Sequence, residues 1–233
     1  MDHLQAASKF EELLGLERNA VAITFLDAPP VGVPHVKTPG PAGCAYWKLA
    51  SDGEVFYTTG EDHLNCTIGA YTHGVPMPPE KSAELESTIG QMIGLNYLRG
   101  EEVAQIPHRK DPFHVAVYAP LSQSPCEPDV VVIRGNAKNI MLLTEAAMAA
   151  GIGPQGGIMV RPTCAFLPDT LQSGHVTPSF GCIGNRVYTA LTDTEFYFAV
   201  PGSKVAELTA ELEKIVSANQ ALEAFHQARC ACA

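Results

Sequence analysis

The order of apolar and polar positions changes period several times along this chain and predicts alternating helices and strands. Leu4, Phe10, Leu13 and Leu14 recur at near-helical spacing and predict a first helix over 4–15. Val21-Ala22-Ile23-Thr24-Phe25-Leu26 is a β-rich run closed by Asp27-Ala28-Pro29-Pro30, which reads as a strand and a turn. Residues 54–59 read as a second strand, and Pro78-Pro79-Glu80 opens a helix over 80–98 with proline and an acid where helix starts favour them. Alternation predicts a strand over 113–119, and Val130-Val131-Val132-Ile133 predicts another, passing through Arg134-Gly135-Asn136 into a helix over 137–150. Glycines over 151–157 stop that helix, and 157–161, 175–180 and 195–200 read as later strands. The last helix, 202–228, carries Val205, Leu208, Leu212, Ile215 and Val216 on one face.

These elements do not follow strict βαβ order. The expectation is therefore an α+β fold, a mixed sheet with packed helices, in a single globular domain over 1–233. A weak repeat points to two pseudo-repeated halves, 1–110 and 111–229, with a flexible tail at 230–233. The first half runs strand, Cys44, strand, Cys66; the second runs strand, helix, strand, Cys164, strand, Cys182. Duplicated halves packed about a pseudo-twofold axis would bring both cysteine pairs to one place.

Charge removes some functions. With 15 Lys+Arg against 25 Asp+Glu, the net charge of -10 repels phosphate backbones, so nucleic acid is not an expected partner. No apolar run reaches the roughly 18 residues of a membrane span, and the acidic amphipathic start lacks the basic and apolar regions of a signal peptide. A cytoplasmic protein is expected. There, seven cysteines mean metal, catalysis or burial before disulfides.

Cys44, Cys66, Cys164 and Cys182 stand out because they fall in strand-associated settings beside Gly43, Gly69, Gly181 and Gly184. Four thiolates complete a zinc site or ligate an iron–sulfur cluster, and close backbone approach at glycine lets N–H groups reach sulfur. No Cys-x-x-Cys occurs, and buried cysteines filling a core are the competing reading. Widely separated ligands favour a cluster over zinc. Haem is the third choice, with a thiolate or one of His63, His73, His108, His114 and His175 as axial ligand. Tyr46 and Trp47 could shield a cofactor, Arg186 could bind a substrate carboxylate, and Asn136 could help hold an anion or simply cap its helix. Cys126 has no partner signal, and Cys230 and Cys232 end the chain without a polybasic stretch that would support lipidation.

The ordered set Cys44, Cys66-x-x-Gly69-Ala70, Arg134-Gly135-Asn136, Cys164 and Gly181-Cys182-x-Gly184-x-Arg186 resembles a bacterial and archaeal family, domain of unknown function one-six-nine. The resemblance spans roughly residues 20–205. It implies a small cytosolic protein with recurrent cysteines and carries no reaction with it. Ala137 stands where the family pattern often has proline.

The resulting expectation is a metal-binding protein, holding an iron–sulfur cluster for electron transfer or reduction of a small molecule. Its partners would be a small molecule or a redox protein, with room for a homo-oligomer. The alternative is a non-enzymatic protein that binds haem, zinc or another small ligand for delivery or sensing.

Overall fold

A computed structural model describes residues 3–37, 40 and 42–231; Cys232 lies outside them. Among these residues six strands form one sheet: β1 (Val21–Leu26), β2 (Phe56–Thr59), β3 (Val115–Pro120), β4 (Val130–Asn136), β5 (Thr177–Ser179) and β6 (Glu195–Pro201). The fold is α+β as expected. All pairs of named strands are antiparallel, so the expected mixed sheet is corrected. The region 157–161 forms no named strand; only Met159 bridges to Ser179, because glycine and proline on either side interrupt an extended run.

The strand order is β2-β3-β1-β4-β6-β5. It reads the same from either end when β1, β2 and β3 are exchanged with β4, β5 and β6. The register obeys the same exchange: Val21 faces Val132 and Ile23 faces Val130, with Ala22 opposite Val131 at the centre. Val21 faces Pro120 as Val130 faces Pro201. Beyond each proline the chain makes a short 3-10 turn, and its first N–H donates back to the residue before the central strand. These bonds are Leu121 N to Ala20 O at 2.7 Å and Gly202 N to Asp129 O at 2.8 Å. The topology has the symmetry of a twofold axis between β1 and β4. It groups β3 with the first half, so the division falls after residue 120 and not at 110.

Alternation along the central strands gives the sheet two covered faces. Ala22, Val131, Ile133, Phe198 and Val200 pack against helices α1 (His3–Leu14), α6 (Ala137–Ala149) and α9 (Val205–Ala231). Val21, Ile23, Tyr118, Val130, Val132 and Ala199 point the other way, against α2 (Cys44–Ser51) and α7 (Phe166–Ser173). On that second face lie also α3 (Thr67–Thr72) and α8 (Ile183–Thr189), while α4 (Pro79–Gly94) and α5 (Gly100–Val103) form an excursion between α3 and β3. The last helix extends through Ala231, three residues past the expected end, so Cys230 is helical and exposed. No helix among the described residues is long and apolar enough to cross a membrane.

Arg134 and Glu195, across β4 and β6, form a two-pronged pair: Nε to Oε1 at 2.7 Å and Nη2 to Oε2 at 2.5 Å. Burial pushes the Glu195 carboxyl up, but hydrogen bonds from Arg134 and Thr192 outweigh it and hold the pKa at about 2. The carboxylate therefore adds stability that is complete above the ordinary glutamate range and disappears as pH falls through about 2. Replacing Glu195 by Gln should cost about 2–3 kcal/mol at neutral pH and much less under strong acid, measured by denaturant unfolding at several pH values.

Candidate metal centre

Each of the four cysteines stands at the start of a helix. Cys44 is the first residue of α2, and Cys164 lies in the 3-10 turn Thr163–Ala165 that runs into α7. Cys66 and Cys182 are the N-caps of α3 and α8; Cys66 Sγ accepts from Gly69 N at 3.3 Å and Cys182 Sγ from Asn185 N at 3.5 Å. A thiol in this position takes the role usually held by serine or aspartate, and free N–H groups there favour a negative sulfur.

The two halves build these settings alike. Cys44-Ala45-Tyr46-Trp47 opens α2, and β2 follows after Gly53; Cys164-Ala165-Phe166-Leu167 leads into α7, and β5 follows after Gly174. The halves then cross. Helix α2 packs on α8, and α3 packs on the turn that carries Cys164, so each pairing joins one half to the other. All four thiols line one cavity of about 450 Å³. Cys126 and Cys230 do not line it.

Among the cavity thiols, burial raises Cys44, Cys66 and Cys164. It pushes Cys44 up to about 12 against the opposing pull of the Asn185 amide, with Cys66 and Cys182 adding to the rise. Cys164 lies well above the ordinary thiol range, through burial first and then its three cysteine neighbours. Cys66 is raised by burial too, although N–H groups of Gly69, Gly43 and Ile68 pull it back. The thiols thus feel one another, and at neutral pH Cys44 and Cys164 carry their protons.

The glycine beside Cys182 that the backbone requires is Gly181, at φ +75, where a Cβ would also press on Leu191. The expected access role of Gly184 is not needed: a Cβ there meets only Tyr188, at ordinary contact distance.

The four other expected binding residues lie away from the cavity. Tyr46 and Trp47 are buried in the core between α2 and the sheet, where they stack with Tyr118, Phe56, Phe166 and Tyr197. Asn136 caps α6, exchanging hydrogen bonds of 3.0 Å with Asn139 in both directions. Arg186 turns back on its own segment, donating to Phe180 O at 2.6 Å and Thr192 O at 2.7 Å. None of these four lines the cavity; their contacts are packing for Tyr46 and Trp47, capping for Asn136 and backbone carbonyls for Arg186.

Asn185, Arg161 and one side of the α4–α5 excursion also line the cavity, and the sequence marked none of them as site residues. Asn185 had a signal, since it stands three residues after Cys182, at the position whose N–H meets an N-cap side chain. Of the histidines considered for haem, His63 and His73 are fully buried, with ring centroids 5.4 Å apart, and His73 reaches the cavity. Burial depresses them to about 3 and about 4, so both are neutral. Among the described residues, no three His, Cys, Asp or Glu side chains are gathered closely enough to hold one metal ion.

The family described as Uncharacterised ArCR, DUF169, matches residues 9–211. An uncharacterized protein of the archaeon Methanocaldococcus jannaschii is 27% identical over 166 residues, covering 67% of this chain and 69% of its own length. No solved structure matches.

Proposed function

The chain belongs to the DUF169 family, and from that premise we propose that Cys44, Cys66, Cys164 and Cys182 hold an iron–sulfur cluster between the two halves. The observation that carries this reading is the convergence of four thiols, from four helix starts and both halves, on one cavity. Soft thiolate is the donor that iron–sulfur clusters use. N–H groups of Gly69 and Asn185 are aimed at sulfur, an arrangement that stabilises anionic thiolates and tunes a cluster's potential. The spread of the thiols favours a cluster over zinc. A single tetrahedral ion needs four donors about 2.3 Å from one point, whereas a cluster brings its own iron and sulfide and accepts ligands standing further apart.

When bound, such a cluster supplies one-electron transfer. The protein's contribution is to fix the sulfurs at the helix starts and to leave space beside them in the same cavity for a small molecule. Electron transfer or small-molecule reduction is the activity this arrangement serves.

Loading must displace the protons of Cys44 and Cys164, so it should weaken as pH falls. We expect anaerobic reconstitution with ferrous iron and sulfide to give a broad absorbance near ~400 nm. Its yield should drop from about pH 8 to about pH 6, with protons released as loading proceeds. A colourless protein after reconstitution, at any pH, counts against the cluster.

A further inference from the structure

The cavity extends beyond the cysteines, and its outer wall breaks the symmetry of the halves. In the second half, five residues separate α8 (Ile183–Thr189) from β6 (Glu195–Pro201). In the first, α3 ends at Thr72 and β3 begins at Val115, and the chain between them carries α4 and α5. Helix α4 has no buried residue, yet Leu85, Thr88, Ile89 and Met92 form a stripe at helical spacing along the cavity. Leu98, Val103, Ile106 and Tyr97 continue the wall, and Tyr188 and Ile183 face them from α8. A helix whose apolar stripe is half-buried along an open chamber lacks a packing partner on that side.

Two charged side chains line this chamber, Arg161 and Glu84. Glu84 is taken up by Lys81, three residues earlier on α4, at 2.7 Å. Arg161 stands two residues before the turn that carries Cys164, with its guanidinium 5.1 Å from the centroid of the Tyr97 ring. One of its nitrogens reaches Glu102 Oε2 at 3.3 Å, a long contact for a charged pair. Glu102 is already engaged by Arg99 through N at 3.0 Å, Nε at 3.2 Å and Nη2 at 3.1 Å. Among the described residues, Arg161 is therefore held over an aromatic face with most of its donor fork unused, at the edge of an apolar chamber.

We infer that this chamber binds a small organic acid with an apolar body, its carboxylate on Arg161 and its body against the α4 stripe beside the cysteines. Pockets of this size that take small molecules are mostly apolar with a few placed polar groups. A planar carboxylate fits the guanidinium fork and displaces its long contact with Glu102. The inference goes beyond the cluster reading and depends on the chamber walls alone.

The test is calorimetric binding to the full-length protein, using octanoate and 3-phenylpropionate against octanamide and 3-phenylpropanamide. The acids should bind at least about tenfold more tightly than their amides, the discrimination a charged hydrogen-bonding partner confers. Arg161→Gln should erase that preference, and Ile89→Trp, which fills the chamber, should weaken acids and amides alike by about tenfold. Glu102→Gln keeps a residue suited to the α5 cap and removes the competing carboxylate, so it should tighten acid binding. Should neither acid bind, should acid and amide bind equally, or should Glu102→Gln weaken the acids, the inference is overturned and the Arg161–Glu102 pair is a structural latch. Iron and sulfide content measured on the same samples keeps the two readings apart: acid binding that depends on Arg161 in a protein still free of iron and sulfide after anaerobic reconstitution upholds this one and removes the cluster.

Discussion

Cys66→Ser and Cys182→Ser, made singly, should strip most of the iron and sulfide from the protein, while Cys126→Ser and Cys230→Ser should leave the content unchanged. Serine keeps the size of the side chain and its N-cap role but replaces a soft donor by a hard one that stays protonated. Loss of a mere outer-shell partner costs roughly 10–100-fold in metal affinity, and loss of a ligand should cost at least as much. The helix starts at 66 and 182 should survive, because a serine hydroxyl accepts from Gly69 or Asn185 as the sulfur does. Circular dichroism should thus be unchanged while iron and sulfide fall. If Cys126→Ser loses as much as the others, the ligand set is misassigned, since Cys126 lies outside the cavity.

The largest expected effect on stability comes from Gly202→Ala. A Cβ at Gly202 would overlap the carbonyl oxygen of Pro128, a backbone atom with no side-chain freedom to yield. Relief requires moving the turn after β6 and breaking the Gly202 N to Asp129 O bond that closes the second half of the sheet. The expected cost is about 3 kcal/mol or more, at the upper end for overpacking, read as a shift in the denaturant midpoint. The counterpart position in the first half is Leu121, which carries a large side chain and makes the same bond to Ala20, so the constraint comes from the Pro128 carbonyl and not from the turn. Gly90→Ala is the control. Gly90 lies in α4 with open space around it, and alanine there should add about 0.5–1 kcal/mol.

The helices and strands were legible where period and punctuation agreed. Val130–Ile133 read as a buried strand because each face of the sheet is covered, and Pro79 and Asn136 marked the starts of α4 and α6. The repeat was visible in the paired cysteines, although the register that proves the symmetry lies in Val21–Pro120 and Val130–Pro201, pairs that side-chain pattern alone does not reveal. The four cysteines that line the cavity each begin a helix near a turn, whereas the sequence had marked them by neighbouring glycines and strands.

What stayed hidden depends on contacts between distant segments. Tyr46 and Trp47 stand two and three residues after Cys44, yet the helical turn carries them away from the cavity and into the core. Arg186 sits beside the Cys182 segment in sequence but spends its donors on backbone carbonyls of its own loop. Leu85, Ile89 and Met92 have the pattern of any amphipathic helix, and nothing in that pattern says whether the stripe meets a core or a chamber. Arg161 was unmarked because its meaning comes from Tyr97 and Glu102, which lie some sixty residues earlier.

The proposed cluster requires that the four thiols lining one cavity hold iron and sulfide. Elemental analysis of the full-length protein purified without oxygen, with acid-labile sulfide measured on the same sample, tests it most directly. Iron and sulfide should be present in similar amounts, and both should be lost in the Cys66→Ser protein. Zinc without sulfide, or iron that remains after Cys66→Ser, would contradict it.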